Sequence, residues 1–406
     1  MSIEIRSIGE DDFDQATRVV YAAFGEVARP ESIRNERRVA EIDRWLSAFD
    51  DGRIVGTAGA YSFLLSVPGS EVATAGVTSV GVLPTHRRRG INTSLMRRLL
   101  DDARERDEPL AALFASEGGI YGRFGFGLGS FSCSIDVETE RSRFIRGYEP
   151  SGSIRLLGRE EAIPPILAVH EVVRRTRPGM PALDERWMEY RLEHDHDEGE
   201  PKPFFAVHEA DGVADADGYA IYTVKHAWPD GIPRLEISVS DLMATRPGAW
   251  ADTWRFVFDH DLVRSVTSWA RPLDEPLLHL LAEPRRSRLT VRDGLWVRLV
   301  DVRSALRARA YAQTGRIVLN VRDPFCGWNE GRFALEAEPD GVACEATTEE
   351  ADLRCDVNVL GATYLGGVTF RQLARAGRVD ELTPGALARA DALFGWDPAP
   401  WCPFVF

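Results

Sequence analysis

The chain has 406 residues, 44% of them hydrophobic, and a formal net charge of -14. At ~100–200 residues per domain it holds two to four domains, and its apolar fraction excludes a disordered polyampholyte. An acidic chain lacks the basic footprint that nucleic acid needs, no apolar run of ~18 residues offers a membrane span, and the charge suits a cationic partner.

Met1-Ser-Ile-Glu-Ile-Arg shows no basic region followed by an apolar stretch, so a cytoplasmic location is expected. Asp11 and Asp12 cap a predicted helix whose Phe13, Ala16, Val19, Val20, Ala23 and Phe24 share one face. A second helical stretch is predicted from about Ser32 to Phe49, and Asp51-Gly52 turns the chain into a strand from Arg53 to Phe63. Val77 to Val82 reads as a strand, Thr93 to Arg104 as an amphipathic helix, and Ala111 to Ser116 as a short buried strand. Strands at Phe204–His208, Gly218–Val224 and Leu235–Val239, with a helix near Ala251–Phe258, crudely repeat this order. The middle segment lacks an Arg-Arg-x-Gly loop, so any duplicated site there is degenerate. From Gly294 the pattern is a strand, a helix at Arg303–Tyr311, further strands and an Ala-rich helix ending near Phe394.

One stretch carries specific chemistry. The strand ends at Leu83-Pro84, the loop Thr85-His-Arg-Arg-Arg-Gly-Ile-Asn follows, and the amphipathic helix opens. A helix N-terminus offers free N–H groups and a positive dipole end, which suit the pyrophosphate of coenzyme A. Gly90 lets the backbone approach, and Arg87 to Arg89 supply charge. Val80, Val82, Pro84, Arg87 and Gly90 resemble the V-x-V-x-P-x-x-R-x-x-G-x-G/A signature of the GNAT acetyltransferase superfamily, with Asn92 in place of the final small residue. The resemblance implies acetyl-CoA as donor. Val80, Gly81 and Val82 would then bind the pantetheine arm, and Arg88, Arg89, Gly90, Ile91, Asn92 and Thr93 the pyrophosphate. His86 reads as a residue of the phosphate loop and not as a base.

Acetyl transfer needs a neutral amine and a proton for the departing thiolate. Ser116-Glu-Gly-Gly-Ile-Tyr-Gly-Arg-Phe-Gly lies where the resembled fold places its acid. Tyr121, with an ordinary pKa near ~10 against ~8.5 for a thiol, stays protonated until thiolate develops. Ser116 and Glu117 read as cofactor contacts, and the flanking glycines as a tight bend around Tyr121.

That motif, the Arg-Arg-Arg-Gly loop, the degenerate middle segment and Leu295-Trp-Val-Arg-Leu-Val-Asp-Val together resemble the enhanced intracellular survival (Eis) acetyltransferases over the whole chain. The implied architecture is α/β (α+β): a GNAT domain at 1–147, a degenerate GNAT-like domain at 148–287 and a sterol-carrier-protein-like domain at 288–406. The resemblance also implies a homohexamer (a dimer of trimers) and an aminoglycoside-like, polyamine or lysine acceptor. It further implies Tyr121 as general acid and the Phe406 α-carboxylate as general base. The competing reading is a lipid or sterol carrier that uses its last domain as an apolar pocket.

Other residues read as structural. His194-Asp-His-Asp-Glu-Gly-Glu is a solvated loop, and no metal site is expected. Cys133, Cys326, Cys344, Cys355 and Cys402 are odd in number and scattered, which fits reduced thiols. Trp396, Trp401 and Phe404 read as packing, and Glu26 and Glu31 are candidates for contact with the amine.

Overall fold

The computed structural model describes residues 3–145, 147–194, 201–212 and 215–406. Its contacts divide it into two units. One holds Met1–Ser130, Gly294–Pro400 and Val405–Phe406; the other holds Phe131–Asp293 and Trp401–Phe404.

The first unit opens with β1 (Glu4–Ser7), α1 (Phe13–Ala23), α2 (Pro30–Val39), β2 (Leu46–Asp50) and β3 (Arg53–Val67). It continues through β4 (Ser70–Val82), α3 (Ile91–Glu105), β5 (Leu110–Phe114), α4 (Gly118–Tyr121) and β6 (Gly127–Leu128). The helix expected from Ser32 to Phe49 ends at Val39, and Leu46–Asp50 is a strand paired antiparallel with β3. Its Leu46, Ala48 and Phe49 are all buried, and a fully buried apolar run carries no period that separates helix from strand.

The second unit holds β7 (Phe131–Glu138), β8 (Gly152–Leu157), α5 (Arg159–Thr176), α6 (Glu185–His194), β9 (Phe204–Ala210) and β10 (Ala216–Ala227). It is completed by β11 (Arg234–Ala244), α7 (Pro247–Phe258), β12 (Val263–Arg271), α8 (Leu277–Leu280) and β13 (Arg288–Asp293). Its seven strands run β13-β7-β12-β11-β10-β9-β8. The parallel step from β11 to β12 crosses through α7, as β4 to β5 crosses through α3. At α7, however, the helix start is occupied. The Asp252 carboxylate accepts from Ser151 N and Oγ at 2.8 Å and from the Tyr148 hydroxyl at 2.7 Å, and a Cβ on Gly248 would lie 2.4 Å from Ser151 Oγ. A carboxylate in the first turns and a covered backbone leave no room for an anion there.

The chain then returns to the first unit as β14 (Leu295–Leu299) and α9 (Val302–Arg307). β15 (Gly315–Arg322), β16 (Gly331–Glu338), β17 (Gly341–Ala346), β18 (Leu353–Asp356), α10 (Val357–Thr363), α11 (Phe370–Arg375), β19 (Val379–Glu381) and α12 (Ala386–Phe394) follow. β15 to β19 form a five-stranded sheet. β14 instead enters the first sheet, whose order is β1-β2-β3-β4-β5-β14-β6. Seating α10 over β6 and β14 needs backbone contact. A Cβ on Gly127 would meet the Asn358 carbonyl oxygen at 1.9 Å, and one on Gly361 the Val297 oxygen at 2.1 Å. Much of the glycine run near Tyr121 therefore serves this close approach, and not a bend around the tyrosine alone. Among the described residues no helix is long and apolar enough to cross a membrane.

Candidate active site

The site begins where two parallel strands part. β4 and β5 pair only at Thr74–Leu110, Ala75–Ala111 and Gly76–Ala112. Three residues further along, β4 bulges: Thr57 faces Gly81 and Gly59 faces Thr78, so Ala58 alone opposes Ser79 and Val80, and Ser79 takes a φ of 51°. An extra residue bends its strand and disrupts the ladder. From Val77 onward β4 therefore runs away from β5 with one edge of its backbone unpaired by that neighbour. Into this fork opens a cleft of about 470 Å³, within the size range of small-molecule sites.

At the far end of β4 the cleft meets α3. Gly90 precedes the helix at φ 80°, where a side chain would be strained although space is open, and no side chain caps the first turn. The N–H groups of Ile91, Asn92 and Thr93 are thus available to an anion. The loop cations are sorted by their partners. Arg87 donates to the Ala23 carbonyl at 2.7 Å, and Arg89 lies 3.4 Å from Asp50 Oδ2. His86 bridges Thr85 Oγ1 at 2.8 Å and the same Asp50 oxygen at 3.1 Å. Arg88, at φ 62°, faces the cleft. Asn92 also lines it and keeps a buried Oδ1 without a hydrogen-bond partner.

At the other end Ser116, Glu117, Ile120 and Tyr121 line the cleft. Tyr121 is 5% exposed and packs edge-on against Phe126 at 6.0 Å. Burial pushes its phenol above the ordinary value of 10; a hydrogen bond with Ser116 works against that shift, and the Glu117 carboxylate adds to it. The phenol therefore holds its proton throughout the neutral range. Ala75, Val77, Ala111 and Leu113 share a core with Leu95, Met96 and Tyr121, on the face of the sheet that α3 covers. Alternation sends Gly76 and Phe114 to the opposite face. There the Phe406 ring lies 4.8 Å from Phe63 and 5.5 Å from Phe114, and a Cβ on Gly76 would touch it at 3.4 Å.

All the cofactor residues expected from the sequence line this cleft except Arg89, whose guanidinium turns to Asp50. Tyr121 lines it; Phe406 does not, and sits at the fork on the other face. Glu26 is exposed, and Glu31 is exposed and paired with Arg34 at 3.0 Å. Trp401 is buried, donating Nε1–H to the Ala270 carbonyl at 3.0 Å; Phe404 lies under the Arg191 guanidinium, and Trp396 packs on Gly69 and Gly366. The five cysteines are unpaired and buried. Of the run 194–200, residues 195–200 lie outside the described residues. Among the described residues no cluster of three metal-ligating side chains is present. Sequence reading missed Ala23, Phe24, Ile120 and Arg123, which also line the cleft. No spacing rule finds the end of α1 beside β4, although an Arg two residues past the tyrosine was open to notice.

Family models describe residues 4–129 and 179–303 each as an acetyltransferase (GNAT) domain and residues 302–403 as a sterol carrier protein domain. With the bulged, forked strand pair and open helix terminus, this makes the protein an N-acetyltransferase of the GNAT class. An uncharacterized N-acetyltransferase of Streptomyces avermitilis is 42% identical over the full length of both chains. N-acetyltransferase Eis of Mycobacterium tuberculosis is 33% identical over the full length of both. The crystal structure of Eis1 from Mycobacterium abscessus superposes with a TM-score of 0.87 at 34% identity, covering both chains completely. The chain belongs to the Eis family of N-acetyltransferases.

Proposed function

We propose that the cleft binds acetyl-CoA and that the enzyme passes its acetyl group directly to an amine of a cationic acceptor. Tyr121 acts as general acid and the α-carboxylate of Phe406 as general base. The observation that carries this reading is the forked strand pair ending at the α3 N-terminus. The unpaired edge of β4 offers backbone groups to the pantetheine amides, and the helix start offers N–H groups to the pyrophosphate.

The chemistry follows the two faces of the fork. The acceptor arrives mostly as an ammonium, because amine pKa values lie near ~10. The carboxylate takes its proton, directly or through water. The freed nitrogen lone pair attacks the thioester carbon, the C–N bond forms and the C–S bond breaks. The thiolate takes the Tyr121 proton from the opposite face. The buried Phe63 and Phe406 rings and the half-buried Phe114 favour a water-poor path for the amine.

An aminoglycoside-like, polyamine or lysine acceptor, a three-domain division at 147/148 and 287/288, assembly as a dimer of trimers and action in the cytoplasm belong to the same proposal, supported by family membership. The direct test follows thiol release from acetyl-CoA across aminoglycosides, diamines and a lysine peptide. Acceptor-dependent release supports the reading and names the acceptor class. Absence of acetyl-CoA binding overturns it.

A further inference from the structure

The cofactor site proposed above must hold several negative charges at two separate phosphate groups. Coenzyme A carries a pyrophosphate and a separate 3′-phosphate monoester, the latter alone near ~1.5–2 negative charges at pH 7. Of the three loop arginines, Arg89 turns to the Asp50 carboxylate, Arg87 lines the cleft with one N–H on the Ala23 carbonyl, and Arg88 faces it beside the α3 first turn. A further cation lines the same cleft from another segment. Arg123 is exposed, meets no carboxylate or carbonyl among the described residues, and only lies over the Phe124 ring, 4.7 Å from its centroid.

Its neighbours place its segment beside α3. The Phe124 ring packs 5.0 Å from Phe325, and Phe325 in turn lies 3.9 Å under the Arg97 guanidinium on α3, less than two turns from Gly90. The segment carrying Arg123 thus flanks the same helix whose N-terminus takes the pyrophosphate. Arg88 and Arg123, neither with a carboxylate partner among the described residues, line one cleft from two different loops.

We infer that Arg123 is a phosphate-binding residue that takes the 3′-phosphate of the cofactor, separately from the pyrophosphate site at Arg88 and α3. This rests on the acetyl-CoA reading of the cleft. An arginine suits a phosphate monoester because its planar fork donates two parallel hydrogen bonds. Its aromatic neighbour restrains the guanidinium without neutralising it.

The test compares acetyl-CoA with acetyl-3′-dephospho-CoA in wild-type enzyme, Arg123→Gln, Arg123→Lys and Arg88→Gln. Wild-type enzyme should prefer acetyl-CoA. Arg123→Gln should raise KM for acetyl-CoA about tenfold or more, the usual scale for a lost charged hydrogen bond, while kcat and the KM for the dephospho compound stay unchanged. Arg123→Lys should recover part of the loss, and Arg88→Gln should weaken both thioesters. Equal weakening of both by Arg123→Gln, or no change in either, overturns the assignment. A wild-type enzyme that binds neither thioester would instead remove the acetyl-CoA reading, and this proposal with it.

Discussion

Replacing Tyr121 by Phe removes one oxygen and leaves the ring. The ring's burial and its edge-on contact with Phe126 are kept. The fold loses only the hydrogen bond with Ser116, worth about 1 kcal/mol. General acid catalysis contributes about 10²–10⁴ in rate, or roughly 3–5 kcal/mol on the barrier. Turnover should therefore fall at least a hundredfold while the acetyl-CoA dissociation constant moves less than about threefold and the melting transition by only a few degrees. Steady-state thiol release gives kcat, and equilibrium titration with acetyl-CoA gives affinity. The wild-type rate should also show no alkaline decline before the phenol titrates, which burial places above its ordinary 10. Turnover in Tyr121→Phe within threefold of wild type would refute Tyr121 as the acid.

Adding three residues after Phe406 moves the carboxylate away from the fork, and turnover should drop about a hundredfold with acetyl-CoA binding retained; full activity in the extended protein rejects the terminal base. Gly127→Ala drives a methyl into the Asn358 carbonyl at 1.9 Å, so urea denaturation should show a loss of about 3 kcal/mol or more. His170, buried with Nε2 on the Pro181 carbonyl at 3.0 Å, has its pKa lowered to about 4 by desolvation. Above the ordinary 6.5 both folded and unfolded chains hold it neutral. As pH falls towards 4 the unfolded chain takes a proton that the folded chain refuses, so stability drops by about 3 kcal/mol across that window. His170→Gln keeps the donor and should flatten that acid slope in pH-dependent denaturation; an unchanged slope would assign it to other groups.

The candidate site was legible because it is local. Val80 to Thr93 supplies strand, loop and helix start in one run, and the backbone chemistry of each is fixed by Pro84, Gly90 and the apolar period of α3. What lay hidden depends on partners distant in sequence. Nothing in Leu295–Leu299 says that it pairs with β5 and not with the strands that follow it, since an apolar strand is compatible with any edge of matching register. The part played by the glycines at 125, 127 and 129 was hidden because the helix that abuts them lies more than two hundred residues away. Arg89 could not be separated from Arg88 without knowing that Asp50 reaches the loop.

The placement of β14 between β5 and β6 also governs how the chain is made. The first sheet has its first five strands by Phe114 yet stays unfinished until Leu299 has been synthesised. At ~5–20 residues per second, the stretch from β6 to β14 takes roughly 10–35 s to emerge from the ribosome. During that interval β5, whose first four residues end fully buried, presents an uncovered apolar edge of the kind that pairs with other chains. A gene fragment encoding the first GNAT segment alone should therefore yield an incomplete, aggregation-prone sheet. A transplanted first segment would need the strand encoded near residue 297 to complete its sheet.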